Sequence, residues 1–143
     1  MQTPTVHASA VLVGARAVLI RGPSGAGKSR QALGLIEASQ SGALRFARLV
    51  GDDRVHLDAV GGQLRVRPAD TLAGLLEVRG AGLLKFPYEA SALVGLVVDL
   101  AAVDAERLPE EGQRQVAIHG IFLPRLAVAP DGAALPALLA LLT

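Results

Sequence analysis

Two stretches of this chain carry residue types that suit phosphate chemistry. The first is RGPSGAGKSR, Arg21 to Arg30, where Gly22 is followed by four residues and then by Gly27, Lys28 and Ser29. Backbone that curls around an anion must aim several N–H groups inward, and glycine reaches the required dihedrals at least cost. Pro23, Ser24, Gly25 and Ala26 complete that curl. A helix after the loop adds the positive end of its dipole. At this spacing the Lys28 ammonium serves the outer phosphates and the Ser29 hydroxyl a Mg²⁺ ion.

The second stretch is LVGDDRV, which places Asp52 and Asp53 23 and 24 residues after Ser29. A carboxylate at a strand end can face the loop serine across a metal ion. Neighbouring strand residues point to opposite sides, so one acid can serve the metal and the other the acceptor, whose proton it can take. Further on, Glu77 and Arg79 stand two apart before Gly80 and Gly82, whose backbone can approach a phosphate closely. The alternatives at each place are a glycine-rich hairpin, a solvated Asp-Asp turn and an exposed Glu–Arg pair.

These residues need elements to hold them. SAVLV and AVLIR, separated by GAR, predict a β-hairpin whose second strand runs into the glycine loop. Ala32, Leu35 and Ile36 share one helical face, so a helix follows Lys28 and ends near Ser41-Gly42. ARLVGDDRVHL reads as extended, and a Gly-Gly turn leads it into QLRVRP. PADTLAGLLEV reads as a short helix opened by Pro68 and Asp70. ALVGLVVDL predicts a buried strand, Asp104 to Gln115 a loop, and QVAIHGIFLPRLAVAP two short strands. ALPALLALL is expected to be a packed helix or an oligomer contact.

Bulk properties narrow the function. At 143 residues the chain is expected to form one domain, 1–143, and its apolar content of 51% supports a sizeable core. A net charge of +1 argues for neither nucleic acid nor membrane as partner. Cysteine is absent, which excludes disulfides and thiol catalysis and fits the cytoplasm. No apolar run reaches the ~18 residues of a membrane span, and no basic segment of a signal peptide precedes residue 8. Asparagine is absent, so the Asn-Lys-x-Asp motif of GTPases cannot exist here. An Arg-rich lid, as in nucleoside monophosphate kinases, is also missing.

GPSGAGKS, LVGDDRV and LLEVRGAGLL, in this order, resemble HPr kinase/phosphorylase, and in particular its short, catalytic-domain-only form. His7, fifteen residues before Gly22, matches a histidine at that distance in the family. The resemblance implies an α/β, β-rich P-loop domain similar to phosphoenolpyruvate carboxykinase, with mixed sheets and few helices. It implies an ATP- and Mg²⁺-dependent serine kinase acting on the phosphocarrier protein HPr, able also to remove that phosphate with inorganic phosphate. Long members of the family are hexamers.

By the same resemblance, Asp53 accepts the serine proton, His7 tunes Asp53, Glu77 is a second metal-associated carboxylate beside Ser29 and Asp52, and Arg107 is an active-site arginine. The chain departs from the family at Arg30, where Glu is frequent, at Ala8, where Gly is usual, and at Lys85, where Asp is frequent. LPRLAVAPDG stands where an Arg-Pro-Gly-Arg segment is tied to dephosphorylation. A kinase of the same fold with another acceptor, and a nucleotide-binding sensor without turnover, are the competing readings. His56 and His119 are expected to be structural or solvated, and Arg65 and Arg67 a solvated strand face.

Overall fold

The computed structural model describes residues 4–106, 109–130 and 132–143. Strands β1 (Thr5–Val13) and β2 (Arg16–Arg21) form the expected hairpin, and β2 runs straight into the glycine-rich loop. Helix α1 (Lys28–Gln40) follows, then β3 (Ala47–Gly51), β4 (Arg54–Val60) and β5 (Gln63–Pro68). A short 3₁₀ turn at Asp70–Leu72 precedes β6 (Leu75–Val78) and β7 (Gly82–Lys85). The chain continues through β8 (Ala92–Asp99), β9 (Gln115–Ile118) and β10 (Ile121–Ala127) to α2 (Ala134–Leu142).

The main sheet mixes directions. β1 pairs antiparallel with β2, β3 and β4, and β4 with β5, whereas β8 lies parallel to β2 and β10. β5 also pairs with the start of β8, so β1, β4, β5, β8 and β2 close a circuit of pairings. β2 and β8, covered on both faces, are accordingly runs of apolar residues, whereas β5 alternates buried Leu64 and Val66 with the less buried Arg65 and Arg67. On β2, Ala17 and Leu19 join a core with Val50, Val55, Leu64 and Val97. Val18 and Ile20 point the other way, into a second core with Leu35 and Ile36 of α1, Leu49 of β3 and Leu138 of α2. With both faces largely buried, few polar side chains lie inside the strands, Ser9 of β1 and His56 of β4 among them, and the site is built around the corner where β3 gives way to β4.

Three expectations change. PADTLAGLLEV is not a helix: after the turn at Asp70–Leu72, Gly74 adopts φ +77° and the next residues form β6, which pairs with β7 in a separate two-stranded sheet. Leu76 points inward and is fully buried while Glu77 is exposed, which is strand alternation and not a helical stripe. The Asp104 to Gln115 stretch includes a 3₁₀ helix at Glu111–Arg114, with Glu110 and Gln113 forming a reciprocal capping box. Arg65 and Arg67 do share the outer, partly exposed face of β5, but they are tied there, because both donate to Asp58 Oδ2, at 3.1 and 3.0 Å.

α2 packs against α1. A Cβ on Gly34 of α1 would come within 3.1 Å of the Leu135 side chain. Leu138 is fully buried while Leu141 stays exposed. Among the described residues no helix is long and apolar enough to cross a membrane.

Candidate active site

β1 is the element that organises the site. Its outer half pairs with β4 and its inner half with β3, so the Asp52–Asp53 corner between them lies opposite Ser9 and Ala8. The Ala8 N–H donates to the Asp53 carbonyl at 3.1 Å, and the Asp53 N–H to Ser9 Oγ at 3.3 Å. The two acids diverge as their adjacency suggests, but through a turn and not through strand alternation. Asp53 has φ +68°, and the Arg54 N–H donates back to the Asp52 carbonyl at 2.8 Å, the pattern of a γ-turn with positive φ. A branched-free but non-glycine residue in this conformation is strained.

Asp52 turns inward and is buried. Its carboxylate accepts from Ser9 Oγ at 2.5 Å, from Ser29 Oγ at 2.8 and 2.9 Å to its two oxygens, and from the Glu77 N–H at 3.1 Å. It therefore ties β1, the start of α1 and β6 to one point. Asp53 turns outward, where His7 Nε2 lies 2.7 Å from its Oδ1. Ser9, which sequence reasoning passed over inside ASAVLV, is the buried hydroxyl that touches both acids; its one signal was a polar residue in an apolar run.

The glycine-rich loop leaves β2 at Arg21 and enters α1 at Lys28. Gly25 and Gly27 have φ +84° and +98°, values open to glycine and strained for other residues. Lys28 is buried and its Nζ donates to the carbonyls of Gly22 and Pro23 at 2.8 and 3.1 Å. Burial pushes the Lys28 ammonium below the usual lysine range, against the opposing attraction of Asp53 and Asp52.

Two cavities meet at this corner. One, of about 440 Å³, is lined by His7, Ser24, Gly25, Gly27, Lys28, Ser29, Arg30, Leu33, Asp53, Glu77, Val78 and Arg79. The other, of about 510 Å³, is lined by Asp52, Asp53, Leu72, Leu75, Glu77, Val78, Arg79, Gly80, Gly82 and Leu83. Asp53, Glu77, Val78 and Arg79 belong to both. The loop residues line only the first, and the apolar side chains of the β6–β7 sheet mostly the second.

The structure thus gathers His7, Lys28, Ser29, Asp52, Asp53, Glu77 and Arg79, which the sequence scatters over more than seventy positions. Arg107 lies outside the described residues. His56 is buried in β4, and His119, with φ +50°, sits in the turn between β9 and β10. Among the described residues no three His, Asp or Glu side chains cluster as a ready-made metal site. The Ser29–Asp52 pair does offer adjacent hard oxygen donors, which suits Mg²⁺, an ion that commonly takes one or two protein oxygens and fills its remaining positions with water and phosphate.

The family model for the HPr serine kinase C-terminal domain matches residues 1–128. The chain belongs to this family.

Curated relatives agree. HPr kinase/phosphorylase of Streptococcus thermophilus is 33% identical over 135 residues, covering 87% of this chain. The proteins of that name from Streptococcus equi and Streptococcus pyogenes match to the same extent. The chain spans 41% of the length of these relatives. The solved structure of the Hpr(Ser) kinase/phosphatase from Coxiella burnetii superposes with a TM-score of 0.74 at 26% identity, over 98% of this chain and 93% of that one. Family membership carries the fold expectation with it: a β-rich unit of mixed sheets with two helices.

A second charged cluster sits behind the loop and was not foreseen. Asp99, at the end of β8, accepts from Arg21 at 2.7 and 2.9 Å and from Arg125 at 2.6 Å. Burial alone would raise its carboxyl, but the two guanidinium groups outweigh it and hold the group below the ordinary range. Arg125 reaches on to both oxygens of Asp104 at 2.8 and 2.9 Å. Arg21 immediately precedes Gly22, so this cluster anchors the root of the loop.

Proposed function

We propose that the chain is an ATP- and Mg²⁺-dependent serine kinase domain whose acceptor is an HPr-like phosphocarrier protein. The observation that carries this reading is the junction of two cavities at Asp53, Glu77 and Arg79, one floored by the glycine-rich loop and the other free of it. A phosphoryl transferase needs such an arrangement, with a donor side, an acceptor side and a carboxylate between them.

In this reading the loop from Gly22 to Ser29 is a phosphate-binding loop, its N–H groups and Lys28 holding the donor phosphates. Ser29 and Asp52 hold Mg²⁺, with Glu77 on the cavity wall beside them. The ion, when bound, neutralises charge on the donor phosphates. Asp52 also fixes the Ser29 hydroxyl, and Ser9 and the Glu77 N–H hold Asp52 in place. Asp53 faces the acceptor side and takes the proton of the serine hydroxyl, and His7, 2.7 Å away, orients its carboxylate. Arg79, shared by both cavities, meets the charge that moves from one to the other. The absence of cysteine is consistent with work in the cytoplasm.

Incubation with purified HPr, ATP and Mg²⁺, read by mass spectrometry, tests the proposal. Phosphate on one serine, lost with an Mg²⁺ chelator or in Asp53→Asn, is the expected result. Nucleotide binding with HPr left unmodified would reject HPr as acceptor and leave a kinase with another acceptor or a nucleotide sensor. The reverse reaction is read in the same assay as pyrophosphate formed from phosphorylated HPr and inorganic phosphate.

A further inference from the structure

The first turn of α1 has a charge pattern that folding alone disfavours. Lys28 and Arg30 occupy it, and it contains no acidic residue. Cations at the positive end of a helix dipole are destabilising, and Asp or Glu is the favourable choice there. A residue that breaks a local rule without a structural gain points to function. Arg30 gains no structural partner: it is exposed, and among the described residues no carboxylate pairs with it. Its guanidinium carbon instead lies 3.9 Å from the point where a Cβ on Gly27 would stand, so the side chain folds back along the loop.

The position relative to the two cavities assigns the role. Arg30 lines the cavity that contains Ser24, Gly25 and Lys28 and is absent from the one formed by the β6–β7 sheet. Arg79 lines both. A cation at the junction meets the group that is transferred; Arg30, folded against Gly27 and away from the junction, is placed for the part of the donor that stays.

We infer that Arg30 binds the non-transferred phosphates of the donor, the ones retained in the diphosphate product. This rests on the reading of the loop as a nucleotide site. The contact forms in the bound donor and persists in the product, so it acts as uniform binding and appears in donor affinity.

Calorimetric titration of the full chain with ATP and with ADP, each with Mg²⁺, tests this without any acceptor. Arg30→Gln is expected to weaken both nucleotides by a similar factor, about tenfold, the usual scale of one charge-assisted hydrogen bond. Arg30→Lys is expected to recover part of the loss. The melting temperature of Arg30→Gln should be equal to or above that of the parent, since an unfavourable dipole contact is removed; a lower value together with weaker binding would make Arg30 structural and overturn the inference. Unchanged affinities, or a loss confined to ATP, would also overturn it. Failure of the parent protein to bind either nucleotide would instead overturn the functional reading on which it rests.

Discussion

Ser9 Oγ donates to Asp52 Oδ1 at 2.5 Å, and both residues are buried. The same hydroxyl oxygen accepts the Asp53 N–H. One small side chain on β1 thus holds the inward acid by its carboxylate and the outward acid by its backbone. Ser9→Ala removes a donor from a buried carboxylate and a partner from an N–H, and is expected to destabilise the protein by about 1–3 kcal/mol. Urea unfolding measures that loss, and phosphotransfer should fall with it because Asp52 and Ser29 lose their common anchor. Unchanged stability would mean that Ser9 is not the anchor of the corner.

Asp53 combines a strained backbone with an exposed carboxylate. Asp53→Gly frees a residue held at φ +68° and is expected to leave stability unchanged or to raise it by up to about 1 kcal/mol. Phosphoryl transfer should be lost by several orders of magnitude in the same variant, while nucleotide still binds. Thermal melts beside single-turnover assays separate the two effects. A variant that is both stable and active would remove Asp53 from the mechanism.

Asp99 gives the protein a defined acid limit. Its folded-state carboxyl is held below its ordinary value, so it stabilises the fold above about pH 4 and loses that contribution as pH falls through the folded value. Asp99→Asn is expected to cost about 2–4 kcal/mol at pH 7, because Arg21 and Arg125 are left half-buried without their shared partner. The difference between parent and variant should shrink as pH is lowered through the acid range. Denaturant melts from pH 7 to pH 3 read this, and a constant gap across that range would show that charge at Asp99 is not the cause.

Some of this molecule was legible from local pattern. The hairpin of β1 and β2, the strand–glycine–helix order and the helix beginning at Lys28 follow from short-range rules of apolar spacing and glycine placement. The Asp-Asp pair was recognisable as a site candidate because two acids interrupt an apolar run. The β6–β7 sheet was not legible as a sheet, because LAGLLEV has an apolar pattern that fits one helical turn as well as a strand, and only pairing with Gly82–Lys85 resolves it. Arg65 and Arg67 lie two apart on one strand, which locally suggests an exposed face, but Asp58 on the neighbouring strand draws both into one cluster.

Sequence by itself determined the chemistry available: glycines for the loop, Lys28 and Ser29 at the start of a helix, two adjacent acids, and a family pattern running through most of the chain. Tertiary structure decided which groups meet. That Asp52 turns in to Ser29 and Asp53 out to His7 depends on one positive φ and on β1 lying across the corner. That Ser9, Asp99 and Arg125 matter depends on strands far apart in the chain. Residue type and spacing are local properties, whereas a contact between residues forty or eighty positions apart exists only once burial of the two cores has fixed the strands beside one another.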